Sequence, residues 1–398
     1  MPIPPERWSL VAGLSLGTVV SNGYARFAYG LVLPAMREDL GWSYTQAGWI
    51  NTANALGYLI GALLALALIR RVGAERMFVI GMATLAVSLA ASGLTRDFVW
   101  LSIWRVVAGI GGAPVFVAAG ALAARLWRAD VSRNALAIAL VLAGGGGLGM
   151  LSSGLVVPWI LEQGSIESWP LAWLAMAAAA ALSFWPAVQT VRHMPPAAQA
   201  ANPAVARVDA KVLSHSSLWG ALPALLSYAL FAVGYIAYLT FLVAWMRDRG
   251  MGTTIIAAAW AMLSLLVVAS PFVWRPVLAR AQAGGAMAAA NGVTALAVAL
   301  PLFWREPAGL VVSAMAFGLS FFVVPTAATT FCRRYFDEPR WPRTMAVFTI
   351  VFAGGQILGP VAAGVIADRG GDIGSGLALA AVILAAGALA AALQRRRA

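Results

Sequence analysis

Long apolar stretches without Asp, Glu, Lys or Arg divide the chain at nearly regular intervals. They occupy 40–69, 77–95, 106–124, 134–161, 168–191, 212–246, 250–274, 281–304, 307–332, 344–367 and 373–394. Each is long enough to cross about 30 Å of hydrocarbon as a helix. A further stretch, 8–35, is interrupted only by Arg26, and 106–124 extends back across Arg105 to about Phe98. The pattern therefore predicts an all-α protein with twelve transmembrane helices, helix 1 to helix 12.

The composition agrees with a membrane protein. Hydrophobic residues make up 61% of the 398 residues, charged residues only 11%, and the mean hydropathy is +0.83. The first apolar stretch is long and lacks a small-residue cleavage site, so we expect a retained helix rather than a signal peptide. The only cysteine is Cys332, which excludes a disulfide within the chain.

The basic residues predict the orientation. With the N-terminus inside, 19 of the 27 Lys and Arg residues fall in segments on that side and 6 on the other, and Arg26 and Arg105 are the remaining two. Cytoplasmic loops of membrane proteins are enriched in Lys and Arg, so both termini are expected in the cytoplasm and the protein in a bacterial inner membrane. The same distribution explains the net charge of +12 without nucleic-acid binding.

The two halves of the sequence repeat at a shift of about 210 residues. The segment "AGGGGLGMLSSG" (143–154) aligns with "AGGQILGPVAAG" (353–364), and Met36 and Arg37 align with Met246 and Arg247. The Pro- and Ala-rich stretch 192–217 separates the repeats. We predict six-helix bundles over 1–191 and 218–398, joined by a cytoplasmic linker. Parallel six-helix repeats are typical of alternating-access transporters that bind substrate near mid-membrane.

Three motifs resemble the major facilitator superfamily. "RVVAGIGGA" (105–113) is similar to its helix 4 pattern, "GGGGLGMLSSG" (144–154) to its glycine-rich helix 5, and "RRVGAER" (70–76) to its loop between helices 2 and 3. The stretch 25–62 and "GQILGP" (355–360) resemble the YbfB/YjiJ-type branch. The resemblance implies a secondary transporter whose helices 1 and 4 line the central cavity. It also implies gating roles for Arg71 and Gly73, although Arg70 stands where the superfamily usually has Asp, with Glu75 as the substitute acid.

Other kinds of chemistry find no support in the sequence. "GGGGLG" (144–149) lacks the preceding strand and following Lys-Ser/Thr of a nucleotide loop. We interpret Gly145 and Gly149, and their repeat partners Gly355 and Gly359, as helix-packing positions that slide during gating. His193 and His215 both lie in the linker, so we predict no catalytic site, no metal and no cofactor.

Arg26 and Arg105 are the chemically informative residues. Counting from Pro34 and Phe98 places them at a similar depth, roughly 10–12 Å from the outer ends of their helices. Arg26 either snorkels or anchors an anion, and Arg105 either braces helix carbonyls or acts as a second donor. Buried charges require partners, and no Asp or Glu lies at that level, so we expect the partner to be a transported anion. The aromatic residues Tyr24, Phe27, Tyr29, Tyr235 and Tyr238 are expected to pack its organic body.

Uncharged polar residues in the spans serve either interhelical bonding or substrate contact. They are Asn22, Asn51, Asn54, Asn291 and Gln356, of which Asn54 and Gln356 join the predicted substrate site. The sequence thus predicts a monomeric secondary transporter of a small organic anion, with a proton or counter-anion as a further candidate partner and lipid around it. Glu162 and Asp368 are candidate proton carriers. A polyspecific exporter of the same fold, a membrane enzyme and a non-transporting scaffold or receptor are the alternatives.

Overall fold

The computed structural model describes residues 5–127, 129–195, 219–337 and 340–395, and over these residues it contains helices and no strands. We number the twelve spans α1 to α12 in chain order. α1 comprises Pro5–Thr18, a π-helical segment Val19–Phe27, and Tyr29–Asp39. The others of the first half are α2 (Tyr44–Val72), α3 (Ala74–Gly93), α4 (Phe98–Ala123), α5 (Val131–Ala139, π-helical Leu140–Gly144, and Gly145–Gln163) and α6 (Trp169–Arg192). Those of the second half are α7 (Leu222–Asp248), α8 (Thr253–Arg280), α9 (Gly285–Phe303), α10 (Pro307–Phe321 and Val323–Tyr335), α11 (Trp341–Gly370) and α12 (Ile373–Ala392).

The predicted twelve-helix architecture is confirmed. Within the described residues, eleven helices are long and apolar enough to cross a membrane, and these are α2 to α12. The first apolar stretch is also helical throughout its length, but its π-helical centre divides it into shorter segments. α4 begins at Phe98 and includes Arg105, as predicted. Beyond residue 195, the predicted linker lies outside the described residues, so the domain boundaries remain predictions.

Polar side chains cap the N-termini of several spans. Ser43 and Gln46 form a reciprocal capping box at the start of α2, and Asp97 accepts a hydrogen bond from the backbone N–H of Trp100 at the start of α4. Asp130 caps α5 in the same way, and the bond from the Arg133 backbone N–H holds the pKa of Asp130 below its usual value. Such caps satisfy amide groups that have no partner within the helix, so they fix where each span starts.

The alternating spans create two faces. We call the face with the start of α1 and the end of α12 the terminal face, and the opposite face the distal face. On the terminal face, Gly73 joins α2 to α3 with φ +85°, and Ala283, 210 positions later, precedes α9 with φ +49°. Glu75 forms an ion pair with Arg125 at the end of α4, so this substitute acid has its partner within its own half. Arg71 lies exposed nearby.

The repeat in the sequence is also a repeat in helix packing. Gly145 and Gly149 of α5 lie against α1, where an added Cβ would clash with Ser15, Thr18 and Val19. In the second half, Gly355 and Gly359 of α11 lie in the same way against Ala229 and Val233 of α7. All four glycines therefore pack helices within one half, and their sliding during gating stays a prediction.

Candidate functional site

The π-helical segment Val19–Phe27 holds Arg26 at the interface between the two halves. All nine of its residues are buried, and its wider turn ends where the N–H of Ala28 donates to the carbonyl of Gly23 at 2.9 Å. Gly23 packs directly on the backbone of Gly149, so the bulge fits against α5 without a side chain between the helices. π-helical turns inside α-helices occur frequently at functional sites.

Arg26 is held by groups from three other spans. Its Nη2 donates to Oε1 of Gln356 on α11 at 2.5 Å, and Nε2 of Gln356 donates to the hydroxyl oxygen of Tyr235 on α7. The ring of Tyr58 on α2 lies 4.2 Å from the Arg26 Cζ. We call Arg26, Tyr58, Tyr235 and Gln356 the interface cluster. Two of its members come from each half, so the cluster links α1 and α2 to α7 and α11.

Arg105 lies inside the first half and has a different environment. Only 1% of the residue is exposed, and its guanidinium lies 5.0 Å from the ring of Trp173 and 5.5 Å from that of Tyr29. Its three guanidinium nitrogens have no hydrogen-bond acceptor within the part of the chain that the structure describes. The side chain therefore does not brace helix carbonyls as one alternative had it, since only its backbone carbonyl is bonded, to Nδ2 of Asn54 at 3.1 Å.

These two arginines carry buried positive charge without a buried acid. Among the described residues they are the only charged side chains that are buried, and none of the ion pairs includes either one. Removing a cation from water costs several kcal/mol unless a partner compensates. The neutral amide of Gln356 and the faces of the aromatic rings compensate only part of that cost.

The remaining predicted substrate residues divide into two groups. Tyr235 and Gln356 belong to the interface cluster. In contrast, the Tyr24 hydroxyl lies 3.1 Å from that of Ser152, Tyr29 donates to the carbonyl of Ala47 at 2.7 Å, Tyr238 bonds Ser313 at 2.6 Å, and Asn54 bonds the Arg105 carbonyl. Members of this second group bond helices of their own half.

Sequence reasoning missed most of the aromatic residues around the cluster. Tyr58 faces Arg26, while Phe321 and Phe352 each lie with their ring centroids 5.8 Å from that of Tyr235 and nearly parallel to it. Phe27, beside Arg26, makes edge contacts with Phe321 and Phe322. The available signal was the spacing of Tyr228, Phe231, Tyr235 and Tyr238, which places four rings along one side of α7.

The halves are also joined near the distal face, through Asp368 at the end of α11. Its carboxylate accepts from the backbone N–H groups of Tyr44 and Thr45 at 2.8 and 2.9 Å and from the Thr45 hydroxyl at 2.5 Å. Asp368 of the second half thus caps the N-terminus of α2 in the first half. The Tyr44 hydroxyl in turn donates to Asp248 at the end of α7.

Hydrogen bonds continue across the interface between these distal contacts and the interface cluster. Nδ2 of Asn51 donates to the Thr240 hydroxyl at 2.5 Å, and the Thr52 hydroxyl donates to the Ile357 carbonyl at 2.8 Å. Gly48 of α2 packs against the carbonyl of Pro360 on α11, too closely for a Cβ. The structure is therefore closed at the distal face.

The repeat partners Arg37 and Arg247 border a distal pocket of about 490 Å³ together with Glu38 and Asp248. These charges lie at the ends of α1 and α7, so the pocket is separate from the interface cluster. Within the described residues there is no group of three or more His, Cys, Asp or Glu residues that could hold a metal ion.

Comparison with known proteins identifies what the chain resembles. Residues 18–393 match the family model described as an uncharacterised MFS-type transporter, YbfB. A Haemophilus influenzae protein whose name refers to metabolite transport is 29% identical over 156 residues. That match covers 39% of this chain and only 37% of the relative's length.

Solved structures with a similar fold include two transporters. A mutant form of the nucleoside transporter NupG has a TM-score of 0.75 at 14% identity, with 96% of this chain and 98% of that chain covered. A bacterial homologue of the human lysosomal transporter Spinster, in an inward-facing unoccupied conformation, has a TM-score of 0.68 at 16% identity, with 99% and 95% covered. At these identities the likeness concerns the fold alone.

Proposed function

Because the chain belongs to the MFS-type transporter family described by YbfB, we propose that it is a secondary active transporter that moves a small organic anion by alternating access. Family membership makes it a transporter and not an enzyme. The observation that carries the anion proposal is the position of Arg26, a buried cation at the interface of the two halves whose partners among the described residues are all neutral. A ligand bound there contacts both halves, so its binding is coupled to their relative movement.

The substrate carboxylate binds at the interface cluster. A guanidinium donates two parallel hydrogen bonds to a carboxylate, and such charge-assisted bonds are roughly twice as strong as neutral ones. Arg105 is the second donor, since its guanidinium nitrogens have no acceptor among the described residues. Tyr24, Tyr29, Tyr238 and Asn54 shape the walls, while Tyr58, Phe321, Phe322 and Phe352 cover the organic body.

The aromatic walls also favour a second candidate, a polyspecific exporter of apolar or cationic compounds. A thermal-shift screen of the purified protein separates the two, because a ligand that binds only the folded state raises the melting temperature. We expect stabilisation by organic carboxylates such as benzoate or citrate. Stabilisation by organic cations or uncharged amphiphiles, and none by carboxylates, would favour the exporter.

Arg26 variants test the anchor directly. We expect Arg26→Gln to abolish stabilisation by anions, because it loses a charge-assisted bond of about 1.5–3 kcal/mol, and Arg26→Lys to retain part of it. Arg96→Gln is the matched control, since Arg96 is an exposed arginine paired with Asp39 far from the cluster. Equal anion affinity in folded Arg26→Gln and wild-type protein would rule out the anchor role.

The proposal also includes an orientation, with both termini in the cytoplasm and the protein in the bacterial inner membrane. Cys332 is buried, so labelling requires new cysteines in a Cys332→Ala background. Ser165→Cys on the distal face is expected to react with impermeant thiol reagents only from outside, and Gln282→Cys on the terminal face only from inside. Labelling of both from one side contradicts the assignment. A monomeric state, and coupling to a proton or a counter-anion, belong to the same proposal.

A further inference from the structure

We propose that Gln356 is a built-in substitute for the transported anion, which lets the substrate-free transporter close at the distal face. The inference rests on the proposed function of the interface cluster. It assigns to Gln356 a role in the return step of the transport cycle, when no substrate is bound. It also favours net transport over obligatory exchange.

The contacts of Gln356 fit this role. Only 1% of the residue is exposed, and its amide oxygen accepts from Arg26 across the interface at 2.5 Å. The other end of the amide donates to the Tyr235 hydroxyl, which keeps the oxygen turned towards Arg26. The bond joins α1 of one half to α11 of the other, so it exists only while the halves are together at this level.

Arg26 explains why closure needs an acceptor. Closing the distal face buries its guanidinium, and a buried cation without an acceptor is strongly unfavourable. Gln356 supplies one acceptor when the substrate does not. Because a neutral amide makes a weaker partner than a carboxylate that binds both guanidinium nitrogens, an organic anion displaces it.

The side chain at position 356 determines whether the transporter can close without substrate. An alanine here would leave Arg26 without an acceptor, so that closure would depend on a bound anion and the protein would only exchange one anion for another. A glutamate would provide a permanent counter-ion and compete with the substrate. Glutamine lies between these limits, since it accepts a hydrogen bond without adding charge.

The test measures distal closure without requiring the natural substrate. Spin labels on Ser165→Cys and Glu306→Cys, in exposed distal loops of the two halves of full-length Cys332→Ala protein, report the separation of the halves. In the labelled protein that keeps Gln356, we expect mostly short distances between the two labels. In Gln356→Ala we expect the ratio of open to closed populations to rise by roughly tenfold to a hundredfold, seen as a shift towards long distances. Sodium acetate, compared with sodium chloride at equal ionic strength, should restore the short distances by placing a small carboxylate beside Arg26.

Two further variants make the result specific. Thr52→Val removes the neutral bond to the Ile357 carbonyl across the same interface, so we expect a smaller opening that acetate does not reverse. Gln356→Glu should remain closed and show no response to acetate. No opening in Gln356→Ala, or an acetate response equal in Gln356→Ala and Thr52→Val, would overturn the inference. Failure of the proposed function shows separately, as a wild-type protein that no organic anion stabilises.

Discussion

Arg26 and Arg105 are buried arginines of the same half, but they belong to two different kinds of structure. Arg26 lies at the interface and bonds Gln356 of the other half, whereas Arg105 lies within one bundle between aromatic rings. Contacts like those of Arg26 must break and re-form if the halves move relative to each other. Contacts like those of Arg105 persist in every conformation of a rigid bundle.

The glycines show the same division. Gly145, Gly149, Gly355 and Gly359 bring together helices of one half, while Gly48 meets the Pro360 carbonyl of the other half. In the reverse direction, Gly364 of α11 lies against the backbone of Tyr44. The comparison therefore separates residues that hold a bundle together from residues that let two bundles approach.

The largest loss of stability is expected for leucine at Gly149, and the same substitution at Gly48 should have a different consequence. Gly149→Leu places a side chain into the backbone of Val19 and Gly23 inside the first half, where nothing can move aside without breaking the bundle. We expect a loss of roughly 3 kcal/mol or more and little folded protein in size-exclusion chromatography.

Gly48→Leu meets the other half instead, so the halves can separate to relieve the clash. We expect a folded protein whose Ser165→Cys and Glu306→Cys labels report a distal face that no longer closes. A Gly48→Leu protein that unfolds as readily as Gly149→Leu would break the distinction between the two regions.

A second prediction exchanges each arginine for methionine. Arg105→Met removes a charge that has no hydrogen-bonded partner among the described residues and retains most of the volume, so we expect the free energy of unfolding to rise by about 1–4 kcal/mol. Arg26→Met also removes a buried charge, but it leaves the Gln356 oxygen without its donor, which offsets about 1–3 kcal/mol of that gain. The melting temperature without added anions should therefore rise more for Arg105→Met than for Arg26→Met. A lower melting temperature for Arg105→Met would identify Arg105 as a structural brace after all.

The sequence predicted the spans well because membrane insertion imposes a strong, local rule. Apolar runs must be helical, and charges must lie at their ends, so the bounds of α2 or α4 follow directly from composition. The internal repeat predicted the equivalent packing of Gly149 and Gly359, because identical contacts in two bundles require similar residues. The charge-free runs predicted that Arg26 and Arg105 would lie within spans, and among the described residues these two are the buried charges.

The interface was less predictable, because no sequence period reports which residues of two separate bundles meet. Asp368 appeared as a candidate proton carrier, yet its carboxylate caps α2 of the other half. The contact of Tyr58 with Arg26 could not be predicted, because a single tyrosine in an apolar span is equally compatible with a lipid-facing position, a core position or an interface position. Such long-range pairs depend on how the halves dock, which a single sequence leaves open.

The smallest expected change in stability concerns two equivalent turns on the terminal face, one in each half. Ala283 has φ +49°, a left-handed conformation that is unfavourable for a residue with a Cβ, and its repeat partner Gly73 has φ +85°. We expect Ala283→Gly to raise the free energy of unfolding by up to about 1 kcal/mol, because relief of backbone strain exceeds the entropy that glycine adds to the unfolded chain. Gly73→Ala is the matched control and should lower it, since an added Cβ there meets only Glu75 Oε2 at 3.4 Å and the cost is backbone strain alone. Both turns lie within a half, so neither change should alter the distance between the distal labels. A shift in that distance by either variant would show that these turns take part in the movement of the halves, and the division between bundle and interface would then not hold on the terminal face.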